Sequence, residues 1–135
     1  MNGLLITSKE EIDDLLEINK KLSEINFAFV QAKTSSNFDY SDMGTFGTGV
    51  KDFFSDSPQM RRNEAIIEKS KIVEYIFSKA TYIKKKPVCY LYYITTGKWI
   101  NDQNCVGRME LVKSDLLDLN IFSNVVYIPV GADLL

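Results

Sequence analysis

The spacing of apolar residues changes along the chain between a period of two, typical of strands, and a period of 3.6, typical of helices. Over residues 3–34 it predicts a strand, a helix and a second strand. Residues 3–7 form a short apolar run of strand length. Residues 8–25 carry apolar side chains at helical spacing, and Ser8 with Glu11 has the capping-box spacing that begins a helix. Residues 27–34 are again of strand length, with a dense apolar first half.

A second helix is expected after a turn at residues 35–40, with Ser41 or Asp42 as its cap. Its apolar positions follow the spacing of a buried face, namely Met43, Phe46, Val50, Phe53 and Phe54. Gly44, Gly47 and Gly49 lie in the same segment, and each costs ~0.5–1 kcal/mol relative to alanine in a helix. Close packing against a sheet, or a kink, would explain these glycines.

The remaining elements predict an α/β fold. Residues 63–82 form a third helix, residues 88–96 a strand, residues 105–119 a fourth helix and residues 124–130 a last strand. The strand at 88–96 lacks polar alternation, which is typical of a central strand covered on both faces. The order β-α-β-α-α-β-α-β predicts a single domain over residues 1–135, with helices packed on a central sheet.

The amino-acid composition excludes several classes of function. The 135 residues are 45% hydrophobic and 25% charged, as expected for one globular domain. A net charge of −2 argues against a polybasic nucleic-acid binder but leaves room for a local basic groove. The chain has no histidine, which excludes Ser-His-Asp and Cys-His catalysis as well as imidazole metal sites.

Cysteine usage and hydropathy point to a reduced, cytoplasmic protein. Cys89 and Cys105 do not have metal-motif spacing, so we interpret them as small buried hydrophobic residues. No apolar run reaches the ~18–20 residues that cross a bilayer, so no membrane partner is expected. The first residues lack the basic region of a signal peptide.

Gln31 and Lys33 are the candidate catalytic residues. Period-two geometry places both side chains on one face at the end of the first long strand, with Ala28, Val30 and Ala32 on the other. A residue with a side-chain oxygen, followed by one spacer residue and a lysine, suits the hydrolysis of phosphodiesters. The oxygen holds a divalent metal ion, and the lysine offsets the negative charge of the phosphate. In the alternative interpretation Lys33 extends into solvent and Gln31 bonds a neighbouring loop.

Several motifs resemble the abortive-phage-infection (AIPR-type) proteins, whose N-terminal part resembles PD-(D/E)XK, or restriction-endonuclease-like, nucleases. The matching segments are the strand ending VQAKTS, the Ser-Ser-x-Phe-Asp turn, the Phe46-x-x-Gly49-Val50-x-Asp52-Phe53-Phe54 helix, the run PVCYLYYITTGKW and the closing NVVYIPV. The resemblance covers most of the chain. It implies a central mixed sheet flanked by helices and a nuclease-like role in phage defence.

The resemblance also implies site residues. Gln31 and Lys33 would be catalytic, Gln31 would hold Mg²⁺ or Mn²⁺, and Ser35 and Ser36 would line the phosphate approach. Gln31 stands where many relatives of the fold have Glu, and an amide is a poorer metal ligand than a carboxylate. The strand that would carry the family's metal-binding Asp is expected to be missing, because no acidic residue precedes Glu10. The chain is therefore expected to be incomplete at both termini. Glu11 is the other acidic candidate, although helix capping explains it more simply.

Two hypotheses for function follow. One is a nuclease-like domain that binds nucleic acid and hydrolyses phosphodiesters with Mg²⁺ or Mn²⁺, inactive if its Asp is absent. The other is a non-catalytic interaction or dimerisation module with the same fold, in which an exposed sheet edge pairs with a second copy. Two further groups remain open: Tyr90, Tyr92 and Tyr93 as a base-stacking surface or a buried strand, and residues 84–86 as a phosphate contact or a solvated basic run.

Overall fold

A computed structural model of the chain describes residues 13, 25–55, 64–79 and 85–132. The chain divides into two compact units, residues 1–25 with 59–85 and residues 26–58 with 86–135. The expected strand at 3–7, most of the helix at 8–25 and Glu11 lie outside the described residues. The single domain over residues 1–135 stays a prediction.

The described elements confirm the predicted order from residue 27 onwards. They are β1 (Phe27–Lys33), α1 (Tyr40–Phe53), α2 (Glu64–Ser78), β2 (Val88–Thr95), α3 (Gln103–Leu117) and β3 (Asn124–Val130). The predicted strand ends differ from these by one residue at most. The third predicted helix is shorter than expected, because α2 ends at Ser78 rather than at residue 82. The chain therefore belongs to the α/β class.

All three strands of the described sheet are parallel and lie in the order β1-β2-β3. Phe27 pairs with Cys89, and Cys89 pairs in turn with Val125. The expectation of a mixed sheet is not met among these strands, because each connection contains a helix and such crossovers join parallel strands. The predicted central position of β2 is confirmed.

The two faces of the sheet differ in burial. Cys89, Leu91, Tyr93 and Thr95 of β2 lie on a fully buried face. The alternate residues, Val88, Tyr90, Tyr92 and Ile94, are only half-buried. On β1 the same half-exposed face leaves Val30 62% exposed. The face of Tyr90 and Tyr92 is thus less completely covered than the opposite face, and coverage of β2 on both faces stays a prediction.

Helices α1 and α3 pack against each other, and the glycines of α1 permit the close approach. A Cβ at position 47 would lie 2.5 Å from both Cγ methyls of Val112 on α3. A Cβ at position 44 would lie 2.7 Å from Nη1 of Arg108. Close packing is thus the reason for Gly44 and Gly47, but the partner is a helix and not the sheet.

The core joins this helix pair to the buried face of the sheet. Met43 and Val50 of α1 are buried, and the Tyr127 hydroxyl of β3 donates a hydrogen bond to the Met43 carbonyl over 2.9 Å. Edge-to-face aromatic contacts extend the core around Phe54, whose ring meets those of Phe27, Phe29, Phe53 and Phe122. These contacts hold β1, α1 and the chain before β3 together.

Both cysteines are buried small residues, as predicted. Cys89 and Cys105 are free thiols with almost no exposed surface. Burial raises the pKa of Cys89 to about 12, and burial also raises the pKa of Cys105. Each thiol is therefore protonated and unreactive at neutral pH.

In the other unit, α2 shows the predicted helix with a narrower buried side. Ile76 is buried, whereas Ile66 keeps 39% of its surface exposed. The Tyr75 hydroxyl donates a hydrogen bond to the carboxylate of Asp13. Across the described ranges, no helix has the length and apolar character needed to span a membrane.

Candidate functional site

The carboxyl ends of the three parallel strands form one edge of the sheet. Lys33, Thr95 and Val130 are the last residues of β1, β2 and β3. Helices α1 and α3 follow β1 and β2, so their N-termini begin at this edge. In open parallel sheets this edge is the usual ligand position, and helix N-termini there favour anions. The predicted site residues Gln31, Lys33, Ser35 and Ser36 all lie at or near it.

The loops at this edge are tied together by hydrogen bonds. The Thr96 hydroxyl donates to the Ser35 carbonyl over 3.0 Å, and the Ala132 N–H donates to the Gly97 carbonyl over 2.8 Å. A Cβ at position 97 would lie 2.2 Å from the carbonyl oxygen of Ser36. Only glycine therefore allows the loop after β2 to approach the loop after β1 so closely.

Lys33 is paired with a carboxylate from the first turn of α1. Its Nζ lies 2.8 Å from Oδ2 of Asp42, and the two side chains are 35% and 44% exposed. The hydrogen bond with Asp42 raises the pKa of Lys33, with smaller contributions from nearby charges that include Asp39. Lys33 is thus a protonated, half-exposed cation. An exposed pair of this kind contributes only ~0–1 kcal/mol to stability, so an incoming anion can compete for the lysine.

Asp39 is the cap of α1, which corrects the expectation that Ser41 or Asp42 has this role. Oδ1 of Asp39 accepts hydrogen bonds from the backbone N–H groups of Ser41 and Asp42, over 2.8 and 3.1 Å. The helix begins two to three residues earlier than predicted, because the aspartate before Tyr40 already satisfies the free amides. Asp42 is left available for Lys33.

The contacts of Gln31, Ser35 and Ser36 do not by themselves indicate a role in a site. Gln31 shares the face of Lys33, as period two predicts, and is half-buried opposite Tyr93 in the register. The Ser35 hydroxyl donates to the Asn37 carbonyl over 2.9 Å and also accepts from the Asn37 amide, so the turn itself uses it. Ser36 is exposed. The roles of Gln31, Ser35 and Ser36 stay predictions.

The described residues do not make a metal site by themselves. No group of three or more Asp, Glu, His or Cys side chains among them is arranged to hold a metal ion. Asp42 is engaged by Lys33, and one oxygen of Asp39 caps the helix. Gln31 offers only a neutral amide oxygen. Mg²⁺ or Mn²⁺ therefore does not fit this set of side chains, and we assign no reaction step to a metal here.

Sequence reasoning missed Asp42 as the partner of Lys33. The signal was present, because a helix that directly follows a parallel strand places its first turn at the carboxyl end of that strand. Among the tyrosines, Tyr93 is buried, whereas Tyr90 and Tyr92 are half-buried with their rings stacked 6.3 Å apart. Lys85 and Lys86 are exposed, as a solvated basic run would be.

Comparison with known proteins does not add a relative: no family model, no curated protein and no solved structure matches the chain.

Proposed function

We propose that this chain contains a nuclease-like domain whose carboxyl edge binds a nucleic-acid phosphodiester at Lys33. The resemblance to abortive-phage-infection proteins supplies the substrate class and the phage-defence setting. Metal-dependent hydrolysis would be the ancestral activity of such a domain, and it requires acidic ligands beyond the described residues. A reducing compartment such as the cytoplasm suits the two free, buried cysteines.

One observation carries the proposal. Lys33 is a protonated, 35% exposed cation at the carboxyl end of β1, on the same face as Gln31 and beside the N-terminus of α1. A phosphate at this position would meet the lysine and the positive end of a helix dipole together. The ordinary ligand position of a parallel sheet and the position of the predicted motif therefore coincide.

The raised pKa of Lys33 limits what the residue does. A lysine that stays protonated at pH 7 cannot take a proton from water, so it is not the general base. It acts through its charge, by binding a phosphate oxygen and offsetting the negative charge that develops during hydrolysis. Binding requires exchange of the Asp42 carboxylate for the phosphate, which is a small cost for an exposed ion pair.

The test measures binding and cleavage with the full chain. Lys33→Ala should weaken the binding of labelled DNA or RNA oligonucleotides in EDTA by about tenfold, as expected for loss of a charged hydrogen bond. It should also abolish any cleavage of plasmid or RNA in Mg²⁺ or Mn²⁺. Lys113→Ala is the matched control, because Lys113 pairs with Glu110 over 3.1 Å on the surface of α3. Equal effects of the two variants would refute a role for Lys33.

Asp42→Asn separates the two possible roles of Asp42. If Asp42 only competes with phosphate for Lys33, the variant should bind oligonucleotides several-fold more tightly. If Asp42 takes part in hydrolysis, the variant should lose cleavage while keeping its binding. Unchanged binding and cleavage would show that the ion pair has no part in the site.

A second function is favoured by the half-exposed face of the sheet. Val30 is 62% exposed there, and β1 is an edge strand of the described sheet. A non-catalytic module that associates through this strand with a second copy would use that surface. It predicts a dimer mass in solution and no effect of Lys33→Ala on any measured property. Val30→Lys should then return the chain to monomer mass.

A further inference from the structure

A surface groove lies between α1 and α3, outside the contacts that form the core. Its volume is about 400 Å³, and its walls carry three hydroxyl side chains, two cations and one carboxylate. The lining is Ser41, Gly44, Thr45, Gly47, Thr48 and Lys51 from α1, with Arg108, Leu111, Val112 and Asp115 from α3. Leu111 and Val112 add apolar surface, and the side chains of Arg108 and Val112 lie against Gly44 and Gly47.

Arg108 is held in position without a carboxylate partner. Its guanidinium carbon lies 5.2 Å from the centre of the Tyr40 ring, in a cation–π contact. Nη1 lies against the backbone at Gly44, where a Cβ would come within 2.7 Å. The ion pairs within the described parts of the chain are Lys33–Asp42 and Lys113–Glu110. Arg108 therefore has no ion-pair partner among the described residues.

The three hydroxyl groups that line the groove differ in whether they are already bonded. The Thr45 and Thr48 hydroxyls donate to the carbonyls of Ser41 and Gly44, over 3.0 and 3.1 Å. Both protons are therefore used inside α1. Within the described residues the Ser41 hydroxyl makes no such bond, so it can donate to a ligand beside Arg108.

Lys51 and Asp115 are the other charged groups that line the groove. Lys51 lies in the last turn of α1, where a cation also stabilises the helix dipole. The groove therefore carries two positive charges and one negative charge, and Arg108 is the cation that lies against the start of α1, at Tyr40 and Gly44.

We propose that the end of this groove formed by Arg108 and Ser41 binds a backbone phosphate of a nucleic acid whose neighbouring phosphodiester is at Lys33. Ser41 lines the groove, and the next residue along α1, Asp42, is the partner of Lys33, so the groove and the candidate site both use the first turn of α1. A guanidinium that is already oriented and unpaired binds phosphate oxygens through two parallel hydrogen bonds. This inference rests on the proposed function and adds a second contact point.

The test is oligonucleotide binding in EDTA by fluorescence anisotropy, at several salt concentrations. Arg108→Ala should weaken binding about tenfold. It should also lower the slope of log K against log salt by ~0.7–0.9, as expected for one lost phosphate contact. Lys113→Ala should change the affinity and the salt slope only by the small effect of a remote charge. Lys51→Ala should have a smaller effect than Arg108→Ala.

Ser41→Asp is a second variant that preserves the fold. A carboxylate in the first turn favours the helix, so α1 should be kept, while its charge stands in the groove that Arg108 also lines and repels phosphate. It should weaken binding at least as much as Arg108→Ala. If Arg108→Ala and Ser41→Asp both bind the oligonucleotide as tightly as Lys113→Ala does, the inference is overturned.

The two proposals fail in different ways. If Lys33→Ala weakens binding and both groove variants bind normally, the groove inference is wrong and the proposed function stands. If the groove variants weaken binding and Lys33→Ala does not, the proposed site at Lys33 is wrong. If the unaltered chain binds neither DNA nor RNA, both are wrong.

Discussion

Substitution of Gly47 by alanine tests whether the contact between α1 and α3 depends on the absence of a side chain. The new methyl group would lie 2.5 Å from both Cγ methyls of Val112, and Val112 is itself 6% exposed. A buried clash of this kind costs ~1–3 kcal/mol, because the obstructing atoms include Cβ of Val112 and both of its methyls, which cannot all turn away by rotation of one side chain. Alanine gains ~0.5–1 kcal/mol of helix propensity in return. The net expectation is a loss of ~1–2 kcal/mol.

Two other glycines of the same helix pair serve as controls. Gly107 lies within α3 with nothing within 4 Å of its hypothetical Cβ, so Gly107→Ala should stabilise the chain by ~0.5–1 kcal/mol. Gly44→Ala should fall between the two, because the obstructing atoms belong to the flexible side chain of Arg108. The order of stability should therefore be Gly107→Ala, Gly44→Ala and Gly47→Ala, from highest to lowest.

The assay is urea unfolding, followed by the fluorescence of Trp99. This is the chain's one tryptophan, and its ring lies 5.0 Å from that of Phe38 in the same unit as α1 and α3. The midpoint should decrease for Gly47→Ala without a change in the denaturant slope. A Gly47→Ala chain as stable as Gly107→Ala would refute the proposed role of close packing.

Two further predictions concern the loops and the thiols. Gly97→Ala should lower the free energy of unfolding by at least ~2 kcal/mol in the same assay. Its Cβ would meet the carbonyl of Ser36, which belongs to the backbone and cannot rotate away. An unchanged midpoint would contradict this. Burial raises the pKa of Cys89 to about 12, whereas the thiol of an unfolded chain ionises near ~8.5. Because only the unfolded chain then gains from ionisation, the free energy of unfolding should fall as pH rises from about 9 towards 12. Cys89→Ala should flatten this fall, and an unchanged pH dependence would be inconsistent with a buried thiol. Neither cysteine should react with Ellman's reagent at pH 8 until urea is added.

The sequence by itself determined the elements from residue 27 onwards. Their apolar residues recur with period two or 3.6, and each period depends only on the geometry of one element. For this reason β2 could be predicted as the central strand from its apolar character. The common face of Gln31 and Lys33 and the burial of both cysteines follow from local pattern in the same way.

Only the tertiary structure decided how these elements meet. The parallel register of the strands and the partner of Gly47 depend on contacts between residues far apart in sequence, which no local period encodes. Asp39 is the helix cap because its Oδ1 accepts hydrogen bonds from the free backbone N–H groups of Ser41 and Asp42, and the Asp42 carboxylate pairs with Lys33. The site is therefore a product of two neighbouring elements, and the chemistry of Lys33 is set by a carboxylate that lies beside it only in the folded chain.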